Sequence, residues 1–311
     1  MSRRQMRITS FCVLIGLAIA WQLASMVIRA ESVPGEPMVP GWQFLATQTF
    51  LNLSDYWTGG FGVAGIAQGG ARTYAGAVLA IASNSVDTSL RLFSGLLVGA
   101  SVGFAAGLAV SWSKWSRRLV FLPGQILRTF PLLALLPVFE LWFGLTFLGA
   151  MLFVAYAVAV IFFTGTINAV RNVPPIYVES ARTLGANNLR IYRTVILPAM
   201  FPELRSTILL GLGTAWTAVV GAEFLGAQTG LGSIIAFSKI FGYVDRMFLV
   251  ALFLLAYAAL TYAIFERGSR KLTEWMPRDH VAEQQPMPLV SEPEAQASAL
   301  TTDHRLAKEG A

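Results

Sequence analysis

The chain has 311 residues, of which 55% are hydrophobic and 13% are charged, and its formal net charge is +6. Soluble domains carry about 25% charged residues, so this composition argues against a soluble enzyme, a disordered chain or a fibrous protein and predicts a membrane protein. A single cysteine, Cys12, excludes a disulfide framework within the chain. The two histidines, His280 and His304, lie in the polar C-terminal tail, so we expect no histidine-built metal site.

Apolar runs predict an all-α membrane protein with six transmembrane helices, since about 20 residues of helix cross a hydrocarbon core of about 30 Å. Four runs carry no charge, and two are interrupted by charges and prolines. The predicted spans are 8–28, 92–111, 119–143, 142–170, 206–225 and 247–265. The run from Trp142 exceeds one span, and we place its break at Gly144 and Gly149.

The first span has an alternative interpretation as a cleaved signal peptide, with basic Arg3, Arg4 and Arg7 before it and Ala30 at the cleavage position. Its apolar run is longer than the usual 7–15 residues of such peptides, and Ile28 is large for the position that it would occupy. We therefore expect a retained helix.

Orientation follows from the Lys and Arg residues. With the N-terminus inside, 17 of the 23 fall in cytoplasmic segments, five fall outside, and Arg128 lies within a span. The asymmetry predicts that both ends are cytoplasmic. The same asymmetry explains the net positive charge of the chain, because the basic residues mark its cytoplasmic side. We therefore do not expect a nucleic acid as a partner.

Four regions follow along the chain. They are the first transmembrane helix (1–30), a periplasmic segment and interfacial helix (31–91), a core with a cytoplasmic loop at 171–205 (92–278), and a disordered cytoplasmic tail (279–311). Thr73–Arg91 looks amphipathic, with Asp87 and Arg91 four residues apart. The tail is polar and has no apolar period. Gly95, Gly99, Gly103 and Gly107 form a glycine stripe that predicts close helix packing.

The cytoplasmic loop predicts two short helices joined by a glycine turn. Prolines open it, Gly185 suits a C′ position and Asn188 suits the N-cap of the second helix. Pro198 and Pro202 are expected to end the unit. Five apolar residues are expected to pack the pair together and onto the membrane domain: Ile176, Leu184, Ile191, Val195 and Leu197. Such a hairpin serves either as a handle for a cytoplasmic protein or as a stable loop with a solvated basic face.

The same stretch resembles the loop motif of permeases from binding-protein-dependent ABC importers. Glu179-Ser180-Ala181, Gly185 and Val195-x-Leu197-Pro198 keep the family spacing, with Ser180 in place of alanine and Val195 in place of isoleucine. The resemblance covers about 60% of the chain, from Ser89 to Trp275. Further short motifs resemble the nitrate, sulfonate and taurine subfamily: Arg128-x-x-Pro131, Leu136-Pro137, Trp142-Phe143-Gly144, Ala222-Glu223 and Gly230-Leu231-Gly232.

The resemblance implies a type I importer permease that works with a second permease subunit, two ATP-binding subunits and a periplasmic solute-binding protein. The chain itself contains no Gly-Lys pair and hence no phosphate-binding loop. The resemblance therefore implies a transport subunit in the bacterial inner membrane, without a cofactor or catalytic site of its own. It also implies that the coupling residues are Glu179, Ser180, Ala181, Gly185, Leu197 and Pro198.

Charged and aromatic residues near or within the spans are the candidates for the pathway or gate, because buried charges in lipid usually face a cavity or a partner. They are Arg128, Glu140, Trp216 and Glu223. The alternatives are that Arg128 snorkels or pairs near the cytoplasmic end and that Trp216 only packs. An ion-coupled secondary transporter or channel remains the rival function, and a membrane-bound enzyme or scaffold is a further alternative. The residues do not choose between sulfonate, taurine and nitrate.

Overall fold

The computed structural model describes residues 3–28 and 30–273, and long helices organise them. The described residues up to Ser269 form one compact unit, and beyond it the structure describes the end of the last helix. The tail predicted at 279–311 lies outside the described residues. The main helices are α1 (Arg3–Val27), α2 (Tyr74–Trp112), α3 (Lys114–Thr129), α4 (Leu132–Phe143), α5 (Phe147–Arg171), α6 (Pro175–Thr183), α7 (Asn188–Phe224), α8 (Leu231–Phe241) and α9 (Val244–Thr273).

The predicted helical membrane fold is confirmed. Five of these helices, α1, α2, α5, α7 and α9, are long and apolar enough to cross a membrane. The bent pair of α3 and α4 passes the same test together, which gives up to six crossings in the described residues. The predicted third span, 119–143, is therefore two helices that meet at 102°.

Pro131 explains that bend. A residue before proline is pushed out of the helical region, and Phe130 adopts φ −66° and ψ 129°. After α4, Gly144 takes φ +70° and ends the helix, as predicted. Thr146 then caps α5, because its hydroxyl oxygen accepts a hydrogen bond from the Gly149 amide. Gly149 thus lies in the first turn of α5 and is not part of the break.

Helix α2 joins two elements that the sequence suggested were separate. The predicted interfacial helix and second span form one 39-residue helix capped by Thr73. Its length of about 58 Å, at 1.5 Å per residue, is nearly twice the hydrocarbon thickness, so it extends well beyond the membrane. Arg91 does not pair with Asp87 across one turn, because it turns inward to Glu223.

The glycine stripe packs α2 against α5, as predicted. A side chain on Gly99 would overlap the carbonyl oxygen of Ala155, and one on Gly103 would overlap that of Ala159. The main core lies at this contact and extends to α7 and α8, with Leu92, Phe153, Leu212, Val219 and Leu231 fully buried.

The segment before α2 folds onto the start of α9. It contains an antiparallel hairpin of β1 (Glu31–Val33) and β2 (Glu36–Pro37), and then short helical turns at Trp42–Phe44, Leu45–Thr49, Phe50–Asn52, Leu53–Tyr56 and Ile66–Gln68. Thr49 donates to Asp245 at 2.8 Å, and Arg246 contacts Asp55 at 3.0 Å and Glu36 at 3.3 Å. These buried polar contacts hold the segment in place.

Helix α7 continues through the prolines that were expected to end it. It begins at Asn188–Ile191, passes through a π-helical stretch at Tyr192–Ile196 and runs on from Leu197 to Phe224. Proline lacks an amide hydrogen and clashes with the preceding turn. The wider π turn immediately before Pro198 accommodates both effects. The prediction of an ending here was wrong because it considered proline without this local widening.

Candidate functional site

The hairpin of residues 174–198, called the coupling hairpin after the role that the resemblance implies, forms the turn that the sequence predicted. Pro175 opens α6, and Gly185 follows its end with φ +77°. The Gly185 amide donates to Arg182 O at 2.9 Å, and the Ala186 amide donates to Ala181 O at 3.0 Å. This pair of bonds is the Schellman motif, which satisfies the last carbonyls of α6. Asn187, and not Asn188, caps the second helix by accepting from the Arg190 amide at 2.9 Å.

The hairpin exposes apolar side chains that were expected to be packed. Leu184 is 87% exposed and Ile176 is 60% exposed, whereas Ile191 is buried. The prediction of mutual packing was wrong for Leu184 and Ile176, because the Schellman turn leaves Leu184 at the tip, beyond the reach of the second helix. Glu179 and Ser180 are exposed beside them. The hairpin therefore exposes a surface of mixed apolar, polar and charged side chains on two short helices.

The second helix of the hairpin is attached to the end of α2. The Tyr192 hydroxyl donates to Leu108 O at 3.1 Å, and its ring meets Trp112 edge-on at a centroid distance of 4.7 Å. Leu197 packs on a small cluster around Met200 and Leu204, and Pro198 is half-buried. The hairpin is therefore in contact with α2 as well as continuous with α7.

One face of α7 is open and carries hydroxyl groups. Ser206, Gly213, Thr214 and Thr217 line a cavity of about 660 Å³. Thr214 and Thr217 donate their protons to carbonyls of their own helix at 3.0 and 3.2 Å. The oxygens of these two residues therefore remain as acceptors, and Tyr262 of α9 lines the same cavity.

Arg128 supplies positive charge next to that face. It lies in the last turn of α3, is exposed, and lines a cavity of about 260 Å³ together with Asn168, Glu203 and Ser206. Ser206 borders both cavities, so the two adjoin. The structure therefore brings Arg128 and the open face of α7 together.

Two other residues that were predicted to line the pathway or gate lie away from the open face of α7. Trp216 is buried, donates to Thr261 Oγ1 at 2.9 Å and packs edge-on against Tyr257, so it joins α7 to α9 in the interior. Glu140 is half-buried near the end of α4, beside Gly144. Neither lines the open face of α7.

Glu223 is fully buried in a polar network. Its carboxylate accepts from Arg91 at 2.7 Å, from Thr88 at 2.9 Å and from the Gly232 amide at 3.0 Å. Arg91 also donates to the carbonyl of Thr229 at 2.6 Å and to its hydroxyl at 2.7 Å. A buried ion pair with these added hydrogen bonds fixes its geometry.

This network holds the start of α8. The Gly230 amide donates to Asn84 at 2.7 Å, and the Leu231 amide donates to Thr88 at 2.9 Å. A side chain at Gly230, where φ is +110°, would overlap the Glu223 carboxylate. The sequence motifs Ala222-Glu223 and Gly230-Leu231-Gly232 thus meet as one clamp between α2, α7 and α8.

The sequence reasoning missed Asn84, Thr88 and Arg91 as functional candidates because it treated them as part of a surface helix. The signal that would have found them was present. Asn84, Thr88 and Arg91 recur at intervals of four and three residues, which places them on one helix face, and Glu223 needed a buried cation.

A second acidic group lies outside the spans. Burial raises the pKa of the Glu36 carboxyl to about 7, and the adjacent Asp245 carboxylate adds to the rise while Arg246 opposes it. Among the described residues, no group of His, Cys, Asp and Glu side chains has the arrangement of a metal site.

Comparison with known proteins decides the family. Residues 95–273 match the family model described as the binding-protein-dependent transport system inner membrane component. The chain belongs to this family. The matched region includes the coupling hairpin, the open face of α7 and the Glu223 side of the clamp. It is accordingly a multi-pass membrane protein.

Named relatives include transport permeases. The chain is 32% identical over 181 residues to a putative aliphatic sulfonates transport permease of Bacillus subtilis. This match covers 58% of this chain and 66% of that protein, just under two thirds of its length. It is 30% identical over 199 residues to the taurine transport system permease of Escherichia coli, covering 63% of this chain and 70% of that protein.

A solved structure shows the same fold. A chain of the MetNI methionine ABC transporter in an inward-facing conformation matches with a TM-score of 0.52 and 24% identity. The match covers 60% of this chain and 93% of that one.

Proposed function

We propose that the chain is the permease subunit of an ATP-driven importer in the bacterial inner membrane. It forms the pathway for a small sulfonate-, taurine- or nitrate-like solute that a periplasmic binding protein delivers. A second copy of the chain completes the pathway, and two separate ATP-binding subunits drive it. Both chain ends are cytoplasmic, as the distribution of basic residues indicates.

The coupling hairpin carries this proposal. A rigid element transmits motion between sites, whereas a loop would absorb it. Leu184 and Glu179 lie on the exposed surface of the hairpin, and Tyr192 ties its base to α2. In this proposal Glu179, Ser180, Ala181 and Gly185 contact or shape the surface for the ATPase, and Leu197 and Pro198 connect that surface to α7.

The pathway is proposed along the open face of α7. Arg128 attracts the anionic group of the solute, since Thr214 and Thr217 donate their hydroxyl protons to their own helix. Trp216 and Glu223 support the wall from behind, and Glu140 stays a predicted gate residue. The rival, an ion-coupled transporter, would need an acid that titrates on the pathway. Glu223 is held by Arg91 inside the protein. Glu203 lines the cavity beside Arg128 and is the acid that this rival would use.

Co-purification with an ATP-binding subunit tests the proposal. We would express the tagged chain together with a candidate ATPase and compare Leu184→Asp with Phe61→Asp. Both side chains are almost fully exposed, at 87% and 90%, so neither change should disturb the fold. Burial of a leucine contributes about 1.5–3 kcal/mol, so Leu184→Asp should reduce recovery of the ATPase at least tenfold. Equal recovery with the two variants, or none with the folded wild type, would count against the proposal.

A further inference from the structure

An apolar cavity of about 530 Å³ opens between α2, α3 and α5. Its wall includes Val102 and Ala106 of α2, Val120 and Gly124 of α3, and Ala159 of α5. The Tyr156 hydroxyl at this wall is satisfied, because it donates to Leu127 O at 2.8 Å. The cavity therefore offers carbon surface to its occupant and suits an apolar chain.

The volume limits what this occupant is. A whole 20-residue helix, about 30 Å long and 10 Å across, fills roughly 2,400 Å³, so a helix of a second copy would cover the mouth of this 530 Å³ cavity without filling it. A water molecule takes about 30 Å³ of the liquid, and a methylene group is of similar size. The cavity thus holds on the order of eighteen such groups, which is the length of one fatty acyl chain.

The adjoining helix α3 supplies positive charge. Its first turns carry Lys114, Arg117 and Arg118, all exposed. The ion pairs found in the described part of the chain involve none of the three. Arg117 lies one turn before Val120 and two turns before Gly124 on the cavity side of α3, whereas Arg118 lies on the opposite side.

The composition of α3 also places it at a membrane surface. Besides these basic residues, it exposes Trp115, Leu119, Leu122 and Ile126. A helix with basic and apolar faces lies in the interface of a membrane. The positive charge of this turn belongs to the cytoplasmic side by the same rule that orients the chain, where anionic headgroups attract basic residues.

We propose that this cavity, the acyl site, holds one acyl chain of an anionic phospholipid whose phosphate is bound by Arg117. The inference is independent of the transported solute and of the ATPase. Its bound lipid would fill the space between the glycine face of α2 and the bent pair of α3 and α4.

Native mass spectrometry of the purified full chain tests the acyl site. The chain is supplied with equal amounts of phosphatidylglycerol and phosphatidylcholine that carry the same acyl chains. We expect one phosphatidylglycerol per chain, retained about fivefold in preference to phosphatidylcholine, from the attraction of one basic residue to an anionic headgroup. Equal retention of the two lipids would overturn the proposal.

Two matched pairs of variants locate the lipid. Ala106→Phe fills the acyl site, whereas Ala105→Phe adds the same ring at an exposed neighbouring position that does not line it. Arg117→Gln removes the proposed phosphate ligand, whereas Arg118→Gln removes an equal charge on the opposite side. We expect only Ala106→Phe to abolish retention and only Arg117→Gln to abolish the headgroup preference.

The outcomes remain decisive if one variant fails to fold. If Ala106→Phe is lost on expression, the Arg117 and Arg118 pair decides, because both side chains are exposed. Equal effects of these two substitutions would overturn the assignment. Retention of lipid by folded Ala106→Phe, or a shift of that variant from dimer to monomer with no change in lipid preference, would show that lipid does not occupy the cavity.

Discussion

The substitution Glu223→Gln probes the clamp between α2, α7 and α8. Removal of one partner from a buried ion pair costs about 3–5 kcal/mol, since the remaining charge stays buried and uncompensated. Arg91 would keep its two hydrogen bonds to Thr229, at 2.6 and 2.7 Å, so we expect the lower end, about 3 kcal/mol. At about 2–4 °C per kcal/mol, the unfolding midpoint in detergent should fall by about 6–12 °C.

Arg72→Gln is the matched control. Arg72 pairs with Asp55 at 2.8 Å, but its side chain is 49% exposed, and exposed pairs contribute about 0–1 kcal/mol. The double variant Arg91→Met with Glu223→Gln removes both charges and should cost less than the sum of the two single changes. The reasoning is refuted if Glu223→Gln costs no more than Arg72→Gln, or if the two changes at the clamp are additive.

Three other predictions follow from the hairpin, the orientation and the acid pair. In a Cys12→Ala background, Phe61→Cys should react with an impermeant thiol reagent from outside intact cells and Leu184→Cys only after permeabilisation; the reverse pattern would contradict the orientation. Gly185→Pro should uncouple ATP hydrolysis from uptake while leaving membrane insertion intact, because φ +77° excludes proline. Gly185→Asn, which tolerates that conformation, should retain uptake, and unchanged uptake with proline would disprove the coupling role. The raised pKa of Glu36 means that the folded state holds the proton between pH 4.5 and about 7, so its contribution to the free energy of unfolding should fall as pH rises through that range. Glu36→Gln should flatten this slope in thermal unfolding measured from pH 4.5 to 8, and an unchanged slope would exclude Glu36 as its source.

Local sequence was sufficient for the features that short-range physics controls. Long apolar runs identified the crossing helices because the thickness of a bilayer sets their length. Gly185 identified the hairpin turn because few residues adopt a positive φ without strain. The glycine stripe of α2 identified a close helix contact for a similarly local reason, since residues four apart share one helix face.

Only the tertiary structure decided which distant groups meet. Arg91 lies four residues after Asp87 in the sequence but pairs with Glu223, 132 residues away, because packing of α2 on α7 buries both charges together. Leu184 was expected to pack, but the turn geometry leaves it exposed, and the π turn before Pro198 lets a helix continue where proline suggested an end. A sequence specifies propensities over a few turns of helix, whereas partner choice, exposure and the 102° bend between α3 and α4 depend on how whole helices share one interior.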